Sequence, residues 1–317
     1  MFSESFISIA GPTGCGKTAF VLQLAKEMPI SVVNIDLGQM YAPYSVGVAQ
    51  PSAKEKASCP HHLFSFLDQP KDFSVVEYRA LAEKICQKIW AEGRIPVFVG
   101  GSTLYQQSLF FQLPELPTRC FSSSQHSSLS NQELWNMLYQ VDSVRAMQIH
   151  FQDRYRLERA LTIWFATGNK PSTYSTTFSP LTQKGLVVFL TRPRDVLYND
   201  INRRAKEMLA SGWINEVASL SEEWRHFAKK KGLIGYSEII DWLDLNKTQD
   251  LESFPQALVT IISQQTRNYA KRQETFFRRF ARMLAVNKLI ETVECDLTLS
   301  SHDLYIEQIV HFCSQYR

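Results

Sequence analysis

Eight residues near the start of the chain restrict its fold more than any other feature: Gly11-Pro12-Thr13-Gly14-Cys15-Gly16-Lys17-Thr18 fit the pattern Gly-x4-Gly-Lys-Thr. They follow an apolar run, Phe6 to Ala10, and precede a segment to about Glu27 with helical spacing at Phe20, Val21 and Leu24. Strand, loop and helix in that order form a phosphate-binding loop, or P-loop. Its glycines let backbone N–H groups fold round phosphate oxygens, the helix offers its positive end, Lys17 neutralises the phosphates and Thr18 ligates Mg²⁺. The motif reads oxyanions rather than bases or sugars, so other residues must decide which compound is held.

Three further runs, Ser31 to Ile35, Ile95 to Val99 and Leu186 to Leu190, are short, apolar and β-branched without polar alternation, as strands buried on both faces are. Val75 to Trp90, with Val76, Leu81, Ile85 and Ile89 on one side, reads as a crossover helix. The expected fold class is therefore α/β, a P-loop NTPase-like parallel sheet. The interval between the third and fourth strands is too long for one helix and is bounded by Ser/Pro/Thr-rich stretches at Pro117 to Ser130 and Gly168 to Leu181. We expect an inserted helical subdomain at 114–179, with 1–113 and 180–317 forming the core. Beyond the fourth strand the chain reads as helical, over Asp195 to Leu220, Ser237 to Leu245, Pro255 to Leu284 and Ser301 to Tyr316.

A chain of 317 residues, 44% hydrophobic and 21% charged, has room for this core and one appended lobe. No stretch offers the roughly 18 apolar residues of a membrane span, and the N-terminus has no basic segment leading into an apolar one; a cytoplasmic location is expected. The six cysteines lack paired short spacing, which argues for free thiols over a zinc site or disulfide frame. A net charge of +3 does not by itself mark a nucleic-acid binder.

Ligands of an open α/β sheet sit beyond the carboxyl ends of the strands. Asp36 follows the second strand and Gly100, Gly101 and Ser102 the third. A carboxylate facing a phosphate cradle can take a proton from a nucleophile or hold a metal through water, or it can simply cap a turn. The glycine pair admits close backbone approach, and Ser102 can bond a reacting atom or cap a helix. Charge is concentrated in 264–283, where Arg267, Lys271, Arg272, Arg278, Arg279 and Arg282 meet only Glu274, a local balance of +5. At 100° per residue, Arg267, Lys271, Arg278 and Arg282 fall within about 60° of one another, with Tyr269, Phe276 and Phe280 opposite. That basic face suits a phosphate backbone.

Taken together, these residues resemble the tRNA dimethylallyltransferase family. The resemblance is carried by the P-loop, Asp36-Leu37-Gly38-Gln39-Met40-Tyr41, Pro60-His61-His62-Leu63 and Val99-Gly100-Gly101-Ser102-Thr103-Leu104-Tyr105. It continues through Arg156-Leu157-Glu158-Arg159-Ala160-Leu161, Gly168-Asn169-Lys170-Pro171-Ser172, Leu209-Ala210-Ser211-Gly212-Trp213, Ile234-Gly235-Tyr236 and Thr266-Arg267-Asn268-Tyr269-Ala270-Lys271-Arg272-Gln273. It implies transfer of a dimethylallyl group from dimethylallyl diphosphate to N6 of the adenine beside the anticodon, position 37, with that base flipped out of the loop. Asp36 matches the general base, and Ser102 and Lys17 match groups at the reacting atoms. The P-loop (Gly11 to Thr18) and Arg204 match diphosphate ligands, and Thr18 matches the Mg²⁺ ligand. Contacts to the tRNA anticodon stem-loop fall on Asp36, Leu37, Gly38, Gln39 and Ser102, on Tyr155, Arg156, Leu157, Glu158 and Arg159, on Gly232, Gly235 and Tyr236, and on Arg267, Lys271 and Arg272. The enzyme is expected to be a monomer.

Three departures stand out. The family usually shows Asp-Ser where this chain has Asp36-Leu37, and Gly-Thr-Ala-Lys-Pro where it reads Gly47-Val48-Ala49-Gln50-Pro51. Asp200 replaces an arginine expected one turn before Arg204. The sequence leaves open a P-loop small-molecule kinase or ATPase, an adenylate prenyltransferase, and an RNA-binding module with a vestigial P-loop.

Overall fold

The structure, a computed structural model, describes residues 4–112, 128–174, 180–181, 184–246, 255–298 and 302–315. Contacts divide the chain into two compact units, Met1–Phe110 with Pro180–Arg317, and Phe111–Ser179. Pro114 and Ser179, the expected bounds of the insert, lie outside the described residues, as does Cys120.

In the first unit the order is β1 (Phe6–Ala10), α1 (Lys17–Glu27), β2 (Ile30–Asn34), α2 (Ala53–Ser58), β3 (His61–His62), α3 (Val75–Ala91), β4 (Ile95–Val99) and α4 (Thr103–Phe110). The second unit contributes α5 (Asn131–Val141), α6 (Ser143–Met147) and α7 (Arg154–Thr167). The first unit resumes with β5 (Gly185–Thr191), α8 (Arg194–Ala210), α9 (Trp213–Ser219), α10 (Glu222–Lys231), α11 (Tyr236–Leu245), α12 (Gln256–Leu284), β6 (Ile290–Asp296) and α13 (His302–Gln315).

The six strands form one parallel sheet in the order β3-β2-β4-β1-β5-β6. The central strands β1 and β2 are buried along their whole length, which is why they read as mainly apolar runs without polar alternation, Ser8, Ser31 and Asn34 being buried with them. Phe20, Val21 and Leu24 of α1 pack with Ile306, Ile309 and Phe312 of α13 in the same core cluster as Ile7, Ile9, Val32, Val97 and Val188. Phe6, Phe98, Phe110, Phe189 and Phe280 form a second apolar layer of edge-on and tilted rings, Phe6 and Phe98 at 5.2 Å and Phe110 and Phe280 at 5.7 Å.

The four anticipated strands are present, but two edge strands were not legible. β3 is a two-residue pairing, and β6 carries exposed Glu291, Thr292 and Glu294 between buried Ile290 and Cys295, in the manner of a protected edge. The single helix expected over Asp195 to Leu220 breaks at Ser211-Gly212 into α8 and α9. The buried face of α3 is Tyr78, Ala82, Cys86 and Ile89, while Val76 is exposed: burial follows the polar-looking stripe whose Tyr78 hydroxyl donates to the Asn34 carbonyl. In the second unit Leu134, Leu138, Ala146, Ile149, Leu157, Ala160 and Leu161 make a separate small core. No described helix is long and apolar enough to cross a membrane.

Candidate active site

Register decides what meets at the carboxyl end of the sheet. Asn34 of β2 pairs with Val99 of β4, and Ile9 of β1 pairs with the same Val99. The loops leaving β1, β2 and β4 therefore begin at one level. The Ile35 N–H donates to the Val99 carbonyl at 2.8 Å, and the Ser102 N–H donates to the Ile35 carbonyl at 3.2 Å. A Cβ on Gly100 would stand 2.5 Å from the Asp36 nitrogen, so only glycine allows these two strand ends to close on each other.

One cavity of about 340 Å³ opens there. Thr13 and Gly14 of the P-loop, Asp36, Ser102 and Arg204 are part of its polar lining, with Lys231, Thr266 and Arg272. Ile201, Met208, Trp213, Leu233, Ile262 and Tyr269 are among the apolar and aromatic groups of the remainder. The cavity thus joins an oxyanion-binding region to a space suited to a hydrocarbon.

Asp36 is held by its neighbours: its N–H donates to Asn34 Oδ1 at 2.7 Å, and its Oδ1 accepts from the Gly38 N–H at 3.0 Å. Burial pushes its pKa above the ordinary carboxylate value; Lys17, the N–H groups of Gly38 and Gly101, and Arg204 oppose that rise. Such a carboxylate is poised to accept a proton. Burial likewise lowers the pKa of Lys17, against the favourable fields of Cys15 and Asp36. Lys17 Nζ donates to the carbonyls of Gly11 at 2.9 Å and Pro12 at 2.8 Å. The Ser102 hydroxyl accepts the Leu37 N–H at 3.0 Å, leaving its own hydrogen to donate elsewhere.

The departures at Asp200, Gln50 and Val48 find physical explanations. Asp200 pairs with Arg192 and with Arg203, at 2.7 Å for the latter, so its charge is neutralised beside Arg204. Gln50 Nε2 donates to the carbonyls of Gln39 at 2.7 Å and Tyr44 at 3.3 Å. Gln39 Nε2 in turn donates to Val48 and Ala49 carbonyls at 2.9 and 2.8 Å, which makes it an organiser of the 45–50 loop. Val48 lies against Gly38 in the cavity wall. Nothing in the structure explains Leu37.

The RNA-contact candidates divide. Leu37, Gly38, Ser102, Gly232, Tyr236 and Arg272 line the cavity. Lys271, Arg272, Arg278, Arg279 and Arg282 are exposed along α12, whose buried stripe includes Ala270, Gln273, Phe277 and Phe280. That stripe corrects the expected opposite face: Phe277 is buried in place of Phe276, which stacks on Phe280. Arg267 is half-buried and bonded to Asn202 and Gln264. In the second unit Tyr155 is exposed, Arg156 pairs with Asp153, Glu158 pairs with Arg154 and Arg159 is half-buried. Leu157 is a correction: its apolar side chain is fully buried in that unit's core and offers RNA no surface. Tyr236 is buried too, its hydroxyl spent on Glu216.

Sequence reasoning missed Glu216, Trp213, Tyr269 and Gln273 as members of this site. Gln273 left one signal, a polar residue spaced to fall in an apolar helical stripe.

A P-loop at the end of the central strand of a parallel sheet, facing a buried carboxylate across a cavity part polar and part apolar, defines a P-loop enzyme of group transfer from a phosphate-bearing compound. Residues 39–280 match the model of the IPP transferase family, and residues 5–62 match that of isopentenyl transferases. The chain is 33% identical over 311 residues to the tRNA dimethylallyltransferase of Protochlamydia amoebophila, covering 95% of this chain and 90% of that one. It is 34% identical over 284 residues to that of Fervidobacterium nodosum, covering 88% and 89%. Among solved structures, the tRNA isopentenylpyrophosphate transferase of Bacillus halodurans superposes with TM-score 0.63 at 28% identity over 99% of this chain and 97% of its own. A eukaryotic dimethylallyltransferase acting on tRNA shares the fold, with TM-score 0.71 at 21% identity over 99% and 81%. The chain belongs to the IPP transferase family, among the tRNA dimethylallyltransferases.

Proposed function

We propose that the protein transfers the dimethylallyl group of dimethylallyl diphosphate to N6 of adenine 37, beside the anticodon of tRNA. The observation that carries this reading is the cavity in which Thr13 and Gly14 of the P-loop, Asp36, Ser102 and Arg204 share walls with Trp213, Ile262 and Tyr269. The adenine N6 attacks the allylic carbon, and the carbon–oxygen bond breaks with its electron pair leaving on diphosphate. Asp36 takes the N6 proton. Lys17, Arg204 and the loop N–H groups hold the departing charge, the kind of stabilisation that dominates such reactions. An apolar wall keeps water from a reactive allylic centre.

Thr18 sits exposed on the first turn of α1. Among the described residues no group of three or more His, Cys, Asp or Glu could hold a metal. Mg²⁺ would be held in the manner of phosphate-bound magnesium, through the Thr18 hydroxyl, water and the oxygens of the substrate. When bound, the ion neutralises charge on the leaving diphosphate.

The proposed working unit is a monomer, and a tRNA substrate supports a cytoplasmic location. The test is incubation of unmodified tRNA with dimethylallyl diphosphate and Mg²⁺, followed by nucleoside mass spectrometry. N6-(dimethylallyl)adenosine at position 37 is the expected product. Its absence, with rapid ATP hydrolysis or efficient prenylation of free AMP instead, would overturn the reading.

A further inference from the structure

We infer that Gln273 is a positioning residue for this transfer, its one side-chain amide tying the P-loop to the peptide that caps Asp36. The inference rests on the function proposed above and deepens it. Gln273 is 1% exposed and sits in a stripe of α12 otherwise filled by Ala270, Phe277 and Phe280. Burying an amide there is costly unless both its ends are bonded. Both are: Oε1 accepts the Thr13 N–H at 2.8 Å, and Nε2 donates to the Gly101 carbonyl at 2.9 Å. The same carbonyl accepts the Tyr269 hydroxyl at 2.9 Å, and the Gly101 N–H is turned to the Asp36 carboxylate.

The sheet ladder ends with the strands, so beyond them other bonds must fix the loops. Within the P-loop, the Cys15 N–H donates to Pro12, and Lys17 Nζ to Gly11 and Pro12. The Thr13–Gln273–Gly101 chain runs outward from it, joining the phosphate cradle to the loop that holds the base. Gln273 is not among the residues that line the cavity. Its effect passes through the separation and orientation of groups that do.

The test compares wild type with Gln273→Met, which keeps the volume and removes both hydrogen bonds. Steady-state kinetics with an anticodon stem-loop RNA and dimethylallyl diphosphate are measured across pH, alongside the Kd of that RNA. Misplacement of catalytic loops predicts a fall in kcat of about 10- to 100-fold with the RNA Kd unchanged. The acidic limb of the pH profile should move to higher pH, because the Gly101 N–H no longer steadies the ionised Asp36. Asp36 otherwise faces Lys17 from α1, Arg204 from α8, Tyr269 from α12 and the Gly38 N–H, none of which the substitution removes. A folded Gln273→Met with wild-type kcat, or one whose slower rate comes with weakened RNA binding and an unmoved acidic limb, overturns the inference. Should Gln273→Met fail to fold, Gln273→Glu keeps the acceptor for Thr13 and removes the donor to Gly101; an unchanged kcat and limb there overturn it equally. A wild-type protein that prenylates nothing overturns the function and not this residue's role alone.

Discussion

The Tyr236 hydroxyl donates to Glu216 at 2.6 Å, and the same carboxylate accepts the N–H groups of Ser45 at 2.9 Å, Val46 at 2.6 Å and Gly47 at 3.3 Å. One carboxylate on α9 thus fastens the loop that carries Val48 and Ala49 into the cavity wall. Tyr236→Phe should cost about 1.5–3 kcal/mol, the worth of a hydrogen bond to a charged group. Glu216→Ala should cost more, since it strands three N–H groups. Urea denaturation of both variants checks the order.

Close packing beside this clamp gives a second expectation. A Cβ on Gly235 would lie 2.0 Å from the Trp213 ring, which is itself buried. Gly235→Ala should destabilise the protein by about 1–3 kcal/mol, as overpacking does. A thermal midpoint equal to wild type would contradict the packing.

Asp36→Asn preserves the shape of the site and removes the proposed base. The rate of a single turnover should fall about 100- to 10,000-fold, while binding of anticodon stem-loop RNA persists. Rapid-quench measurement of the prenylated nucleoside reads the result.

The acidic limb of the rate profile should lie above the ordinary carboxylate range, because burial raises the Asp36 pKa and the base works only when ionised. The rate is lost as pH falls through that raised value. Lys17→Met removes the largest opposing influence, so the limb should move to still higher pH. A rate profile of the residual activity tests the sign.

Lys271 and Arg278 stand exposed on α12. Replacing either by alanine should weaken RNA binding uniformly across sequences and reduce the slope of log K against log salt by about 1 for each phosphate no longer neutralised. Filter binding at several salt concentrations separates this from a failure to fold.

The P-loop, the four central strands and the basic face of α12 were legible because each is local: a spacing of glycines, an apolar run, a helical period. The edge strands β3 and β6 were hidden, since pairing on one side places little demand on composition. Asp36 and Ser102 could be named from their positions after strands, yet their partners could not, because hydrogen bonds from Leu37 to Ser102 and from Thr13 to Gln273 span 65 and 260 residues.

The sequence by itself therefore determined that a phosphate cradle exists, which strands build the centre of the sheet and which face of the last long helix is positive. Only the tertiary structure decided that Asp36, Arg204 and the P-loop share one cavity, that Leu157 and Tyr236 are buried, and that Gln273 joins two loops. Backbone propensity and hydrophobic period act within a few residues, whereas the meeting of loops is set by strand register and by buried polar groups that must find partners wherever the fold brings them.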